Sequence, residues 1–197
     1  MKSESHVRRL PKSFYTRKTE IVARALLGKI LFHKIDKKIT SGTIVEIEAY
    51  LGSEDPASRA SNGKTKISKP MWAKPGRILL YVVHGNLLFN IIAHEVDKVG
   101  AVLIRALEPL EGIELMKRRR EIENIENLTS GPGKLSEALG IDKKYNGKDI
   151  TDPKLDLDIR RAEKEDFEIE SSHRIGVSED LEEELRFFIK GNRFVSQ

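Results

Sequence analysis

The sequence contains no cysteine, one glutamine and one tryptophan. Without cysteine there is no disulfide, no thiol nucleophile and no cysteine-ligated zinc, and a reducing, intracellular setting is the natural expectation. The lone Gln197, the missing cysteine and the 34% of charged residues together read as depletion of heat-labile side chains, a trait of proteins from hot sources. Long hydrophobic runs are also missing. The opening MKSESHVRRL lacks the apolar stretch of a signal peptide, and nothing approaches the roughly 20 apolar residues that span a bilayer. A soluble protein with no membrane partner is expected.

What is present begins with charge and its placement. The 197 residues suffice for one domain, 1–197, with a substantial core. The net charge is only +4, but it is unevenly spread: Met1 to Ile30 holds eight bases against two acids, and Arg59 to Arg77 holds six against none. Asp156 to Glu170 reverses this with seven acids against three bases. A basic N-terminal part suits a partner carrying phosphates, and it equally suits a solvated, mixed-charge surface.

The stretch GTIVEIEAYLGSEDPASRA, Gly42 to Ala60, is the most informative in the chain. Its β-branched residues predict a strand, and alternation places Ile44, Glu46, Glu48 and Tyr50 on one face. Two carboxylates on a strand are costly to bury without a partner. Either they belong to a working site or they face solvent on an open antiparallel sheet. Gly52, Ser53, Asp55, Pro56 and Ser58 then end the strand in a polar loop, leaving Tyr50 at the exit, where active sites favour their residues.

Around this stretch the pattern predicts a helix from Thr16 or Thr19, acting as cap, to about Leu27, stopped by Gly28. Strands follow at Lys29 to Ile35 and Ile39 to Tyr50, then an ordered loop from Ser61 to Gly76. A hairpin comes next, Arg77 to Val83 and Leu87 to Ile92, turning at His84, Gly85 and Asn86. Val102 to Leu107 is a strand with Arg105 inside its apolar run, so Arg105 needs a counter-charge, and Glu48 is the candidate. Glu111 to Glu121 is helical and ends in KRRR, a phosphate contact or a wet face. Ser130 to Lys134 leads into a short helix ending near Gly140 without matching a phosphate-binding loop. Asp142 to Glu170 carries little signal, and Glu168 to Val177 and Leu185 to Ile189 are the final strands. These elements make an α+β domain with short, mostly antiparallel strands.

In this order the segments resemble the 3-methyladenine DNA glycosylases of the alkyladenine type. The likeness runs through ARALLGKIL (Ala23 to Leu31), VEIEAYLGSEDPAS (Val45 to Ser58), KPG (Lys74 to Gly76), LIRALEPLEG (Leu103 to Gly112), SGPGKL (Ser130 to Leu135), RIGV (Arg174 to Val177) and LRFFIKG (Leu185 to Gly191). The resemblance implies a curved, partly closed antiparallel sheet wrapped by helices, with the hairpin protruding. It implies a monomeric, monofunctional enzyme of cytoplasm or nucleoid that cleaves the bond between a damaged purine and deoxyribose in double-stranded DNA. The purine is an alkylated or deaminated one, of the 3-methyladenine, 7-methylguanine and hypoxanthine class, flipped out of the stack. By the same resemblance Glu48 activates the water, Arg105 pairs with Glu48 and orients that water, and the Val177 carbonyl contacts it. Tyr50 and Tyr81 sandwich the base, the Ala57 N–H contacts it, and Asn90 excludes guanine by clashing with its exocyclic amine. No metal, nucleotide or redox cofactor is implied.

Two positions depart from the family pattern. Arg59 stands where a histidine usually contacts the base, and its permanent charge repels a cationic base but can donate to the oxygen of a neutral one. His84 stands at the hairpin tip in place of the usual intercalating tyrosine. Two other readings stay open: a metal-dependent hydrolase built on Glu46, Glu48 and His94, and a catalytically impaired module that only binds lesions.

Overall fold

A computed structural model describes residues 8–162 and 166–196. Residues 1–7 of the basic N-terminal stretch, 163–165 of the acidic one and Gln197 lie outside the described residues. The architecture is α+β, and its axis is the thirteen-residue strand β2 (Lys38–Tyr50). One edge of β2 pairs with β5 (Ala101–Glu111), from Ser41 opposite Glu111 to Tyr50 opposite Ala101. The other edge is divided. Its first half pairs with β1 (Ile30–Ile35), and its second, at Glu46 to Glu48, with β8 (Arg186–Ile189). Outward from these lie β3 (Ile78–Val83) and β4 (Asn86–Ile92) beyond β5, β6 (Leu157–Arg160) beyond β1, and β7 (Ile169–Ser172) beyond β8. Every pairing is antiparallel, and the result is a curved, partly closed sheet wrapped by helices.

The face pattern of β2 differs from strict alternation. Ile44 pairs with Leu107, Glu46 with Ala106 and Ile47 with Ile104, so Val45 and Arg105 fall between paired positions. An extra residue in a strand switches which face the next side chain takes. Ile44 consequently joins Ile47 and Ala49 in the main core, while Val45 packs with Ala106 and Phe194 in a small separate cluster. Ile44 therefore does not share a face with the two glutamates, contrary to the expectation from alternation.

Helices cover the core side. In α2 (Thr19–Leu26), Val22, Ala23 and Leu26 are fully buried, and Gly28, at φ +77°, supplies the left-handed turn that ends it. Neither expected threonine caps this helix. The Thr19 hydroxyl donates instead to the Ala93 carbonyl at 2.8 Å, because at this buried position it must find a partner across the packing interface. α3 (Ile113–Arg120) lies against α4 (Pro132–Leu139), which starts at the proline and stops before Gly140 at φ +71°. The basic end of α3 is partly structural: Arg119 donates to the Ala138 carbonyl, and Arg120 pairs with Glu137.

The sequence reading did not include α1 (Lys12–Tyr15), β6 or the short 3-10 helices at Lys69–Trp72, Ile125–Asn127 and Lys143–Tyr145. The strand expected from Glu168 to Val177 ends at Ser172, and the chain beyond it becomes a loop over the site. At the hairpin tip the turn has two residues, His84 at φ +48° and Gly85 at φ +81°, with Asn86 already paired in β4. Among the described residues no helix is long and apolar enough to cross a membrane.

Candidate active site

The two glutamates of β2 are both fully buried, which overturns the reading of them as solvated residues on an open face. Burying two carboxylates is tolerable only with dense compensation, and each has it. Glu46 Oε1 accepts from Arg105 Nε (3.0 Å), Arg186 Nε (2.7 Å) and Ser196 Oγ (2.8 Å), and Oε2 accepts from the Ser196 N–H (2.6 Å). Glu48 is held differently. Its Oε1 accepts from the Ile175 N–H (2.8 Å) and lies 3.2 Å from Arg105 Nη1, while Oε2 accepts from the Tyr50 hydroxyl (2.8 Å).

Arg105 thus bridges both carboxylates, not Glu48 alone. It can do so because the irregularity in β5 that leaves it unpaired aims it at β2 between them. Tyr50 is a committed donor. Burial, and then the negative charge of Glu48, push its phenol well above the usual tyrosine range, so its proton stays on to serve the carboxylate.

In front of this centre opens a cavity of about 930 Å³. Tyr50, Tyr81, Ala57, Arg59 and Asn90 line it, as do Arg105, Val177 and His84. Glu48 sits one bond behind the wall, and its three donors, from Tyr50, Arg105 and Ile175, all belong to lining residues. The site residues expected from the sequence are therefore gathered in one place, although they come from β2, the loop after it, the hairpin, β5 and the loop after β7. The Ala57 N–H already donates to Asp55 Oδ1 at 3.0 Å, so a contact to a base would have to share or replace that bond. Asn90 is buried and its amide donates to the Leu88 carbonyl. The Tyr81 hydroxyl is buried with no hydrogen-bond partner among the described residues, and burial raises its pKa against the opposing charge of Arg59.

A clamp that the sequence reading missed joins two of the cavity's lips. Arg174, fully buried, forks onto Asp55 with two bonds of 2.7 Å, donates to the Ala49 carbonyl at 2.9 Å, and meets Asp180 through Nε at 2.9 Å. Burial works against the charge of Arg174, but the two aspartates outweigh it and its pKa rises. Asp180 is likewise pushed up by burial, yet Arg174 holds it below the usual carboxylate range. This planar, bidentate geometry is particular to arginine. It fixes the loop after β2 to the loop that carries Ile175 and Val177. A partial signal for it existed, since Asp55 and Arg174 both fall in segments that resemble the family.

His94 belongs to another environment. Its ring nitrogens lie 2.7 Å from the Glu95 carbonyl and 3.1 Å from that of Ala73. Among the described residues no group of three His, Cys, Asp or Glu side chains could hold a metal, so the set of Glu46, Glu48 and His94 is not assembled.

Comparison with known proteins identifies the family of the chain. The family description of methylpurine-DNA glycosylases matches residues 13–193. A Clostridium perfringens protein named "Putative 3-methyladenine DNA glycosylase" is 43% identical over 205 aligned positions, which cover 96% of this chain and 99% of that one. Proteins of the same name from Aeropyrum pernix and Koribacter versatilis are 42% and 38% identical, over 96% and 95% of this chain and 94% and 92% of theirs. With the match running from the first helix to the last turn, the chain belongs to the methylpurine-DNA glycosylase family.

Proposed function

We propose that this chain is a base-excision-repair DNA glycosylase, acting as a single-domain monomer on alkylated or deaminated purines in double-stranded DNA. One observation carries the reading: a buried carboxylate, Glu48, whose every donor also lines the cavity. A base flipped into that cavity brings its sugar to the wall behind which Glu48 waits. Water attacks C1′ as the bond to the purine nitrogen breaks. Glu48 takes the water's proton, and its charge stabilises the positive charge that builds on the sugar.

Arg105 keeps Glu48 oriented and, with the Val177 carbonyl, positions the water. Tyr50 and Tyr81 supply the aromatic walls, which favour electron-poor rings. Ala57, Arg59 and Asn90 read the base edge, and His84 at the exposed hairpin tip enters the gap left in the stack. Side chains and water carry every step, so excision is expected to persist in a chelator.

The test uses duplexes carrying one hypoxanthine or one 7-methylguanine, followed by hot alkali to reveal abasic sites. Cleavage by the unaltered protein and none by Glu48→Gln supports the assignment. Salt-dependent binding of damaged duplex with no abasic product from the unaltered protein would refute it in favour of a lesion-binding module.

A further inference from the structure

The cavity's two aromatic walls carry guanidinium groups in opposite electrical states. Over the Tyr50 ring, at 4.8 Å, lies the guanidinium carbon of Arg174, whose charge is cancelled by Asp55 and Asp180. Over the Tyr81 ring, at 4.5 Å, lies that of Arg59. Among the described residues no carboxylate pairs with Arg59, which is exposed and lines the cavity. The segment around it, Arg59 to Arg77, has no acidic residue. An arginine cannot shed its charge by losing a proton. Whatever enters beside Tyr81 therefore meets a fixed positive charge, with no carboxylate paired to it among the described residues, already stacked on that ring.

Resting on the glycosylase reading, we propose that Arg59 makes this site selective for neutral purines bearing an oxygen acceptor, the deaminated class, over purines made cationic by ring methylation. A methylated purine such as 7-methylguanine brings a positive charge to a wall that holds one. Hypoxanthine brings none, and its carbonyl oxygen can accept from the guanidinium fork. The Tyr81 hydroxyl, buried and unpartnered, adds a second polar atom to the same wall.

The experiment compares single-turnover excision of hypoxanthine and of 7-methylguanine from otherwise identical duplexes by the unaltered protein, Arg59→Gln and Arg59→Lys. The unaltered protein should remove hypoxanthine faster. Removing the charge in Arg59→Gln should shift the ratio toward 7-methylguanine by on the order of tenfold or more, chiefly by raising the 7-methylguanine rate. Arg59→Lys keeps the charge but not the fork, and should retain the discrimination against 7-methylguanine while excising hypoxanthine more slowly. Excision of both bases at a ratio unchanged in Arg59→Gln, or a preference of the unaltered protein for 7-methylguanine, overturns this proposal alone. Excision of neither base by the unaltered protein overturns the glycosylase reading and this proposal with it.

Discussion

Glu46 and Glu48 stand two residues apart on β2, are equally buried and share Arg105, yet their surroundings differ in kind. Glu46 takes its remaining donors from Arg186 and Ser196, which lie in β8 and near the C-terminus. Glu48 takes its donors from Tyr50, Arg105 and Ile175, residues of the cavity wall. A carboxylate held by donors of the framework serves as a joint. One whose donors line a cavity is the better candidate for a reagent. The comparison teaches that burial and charge alone do not identify a catalytic acid or base, and that the location of its donors does.

The contrast can be broken most sharply by neutralising each carboxylate. Glu48→Gln should lower excision by about 10²- to 10⁴-fold, the usual weight of a general base, while leaving Arg105 paired with Glu46 and the fold largely intact. Glu46→Gln should act in the opposite sense. It weakens the anchor of Arg105, Arg186 and Ser196 together, and a loss of roughly 3–5 kcal/mol in denaturant unfolding is expected for a buried pair deprived of one partner. Its excision rate per folded molecule should fall far less than that of Glu48→Gln. Equal catalytic losses in both variants would erase the distinction.

A smaller effect is expected from the clamp that carries Ile175 to Glu48. Arg174→Lys keeps the charge but cannot fork onto Asp55 while reaching Ala49 and Asp180. About 1–3 kcal/mol of stability should be lost, with excision slowed because the Ile175 N–H is no longer held against Glu48. An unaltered excision rate would show that Glu48 does not depend on this loop.

The smallest effect separates the carboxylates from a buried histidine of the same sheet. His33, fully buried, has Nδ1 2.8 Å from the Leu139 carbonyl and Nε2 2.7 Å from the Tyr145 hydroxyl, and burial holds its pKa below the ordinary value. Above pH about 6.5 both folded and unfolded states are neutral there and His33 contributes no pH dependence. As the pH falls below that value the unfolded chain takes up a proton that the folded chain refuses. Stability should therefore drop, by up to about 1.4 kcal/mol per pH unit, until the folded value is passed. Unfolding titrations at several pH values should show this slope, and His33→Gln should remove it. A slope that survives the substitution would assign the proton to another group.

Much of this site was legible in the sequence because its residues lie on regular elements. The alternation of Glu46, Glu48 and Tyr50 follows from strand geometry, and an arginine inside the apolar run at Val102 to Leu107 announces a missing counter-charge. The rest depended on events that pattern does not encode. The bulge at Val45 reverses the face of Ile44 without any turn residue to mark it. Strand β6 hides in an acidic stretch because only Leu157 and Ile159 alternate, and it is stabilised by pairing with β1 rather than by its own composition. The donors to Glu46 arrive from Arg186 and Ser196, 140 and 150 residues further along the chain, where only tertiary packing brings them to β2. Thr19 failed as a cap for the same reason, since a carbonyl across the core outcompeted its own helix.

The central claim is that Glu48, and not Glu46, activates the water. Its most direct test is single-turnover abasic-site formation on a hypoxanthine duplex by Glu48→Gln and Glu46→Gln, with each rate divided by the folded fraction measured in the same sample. The account predicts that Glu48→Gln is folded and nearly inactive, and that Glu46→Gln is destabilised but active wherever it is folded. A folded Glu48→Gln that excises hypoxanthine at close to the unaltered rate would contradict it.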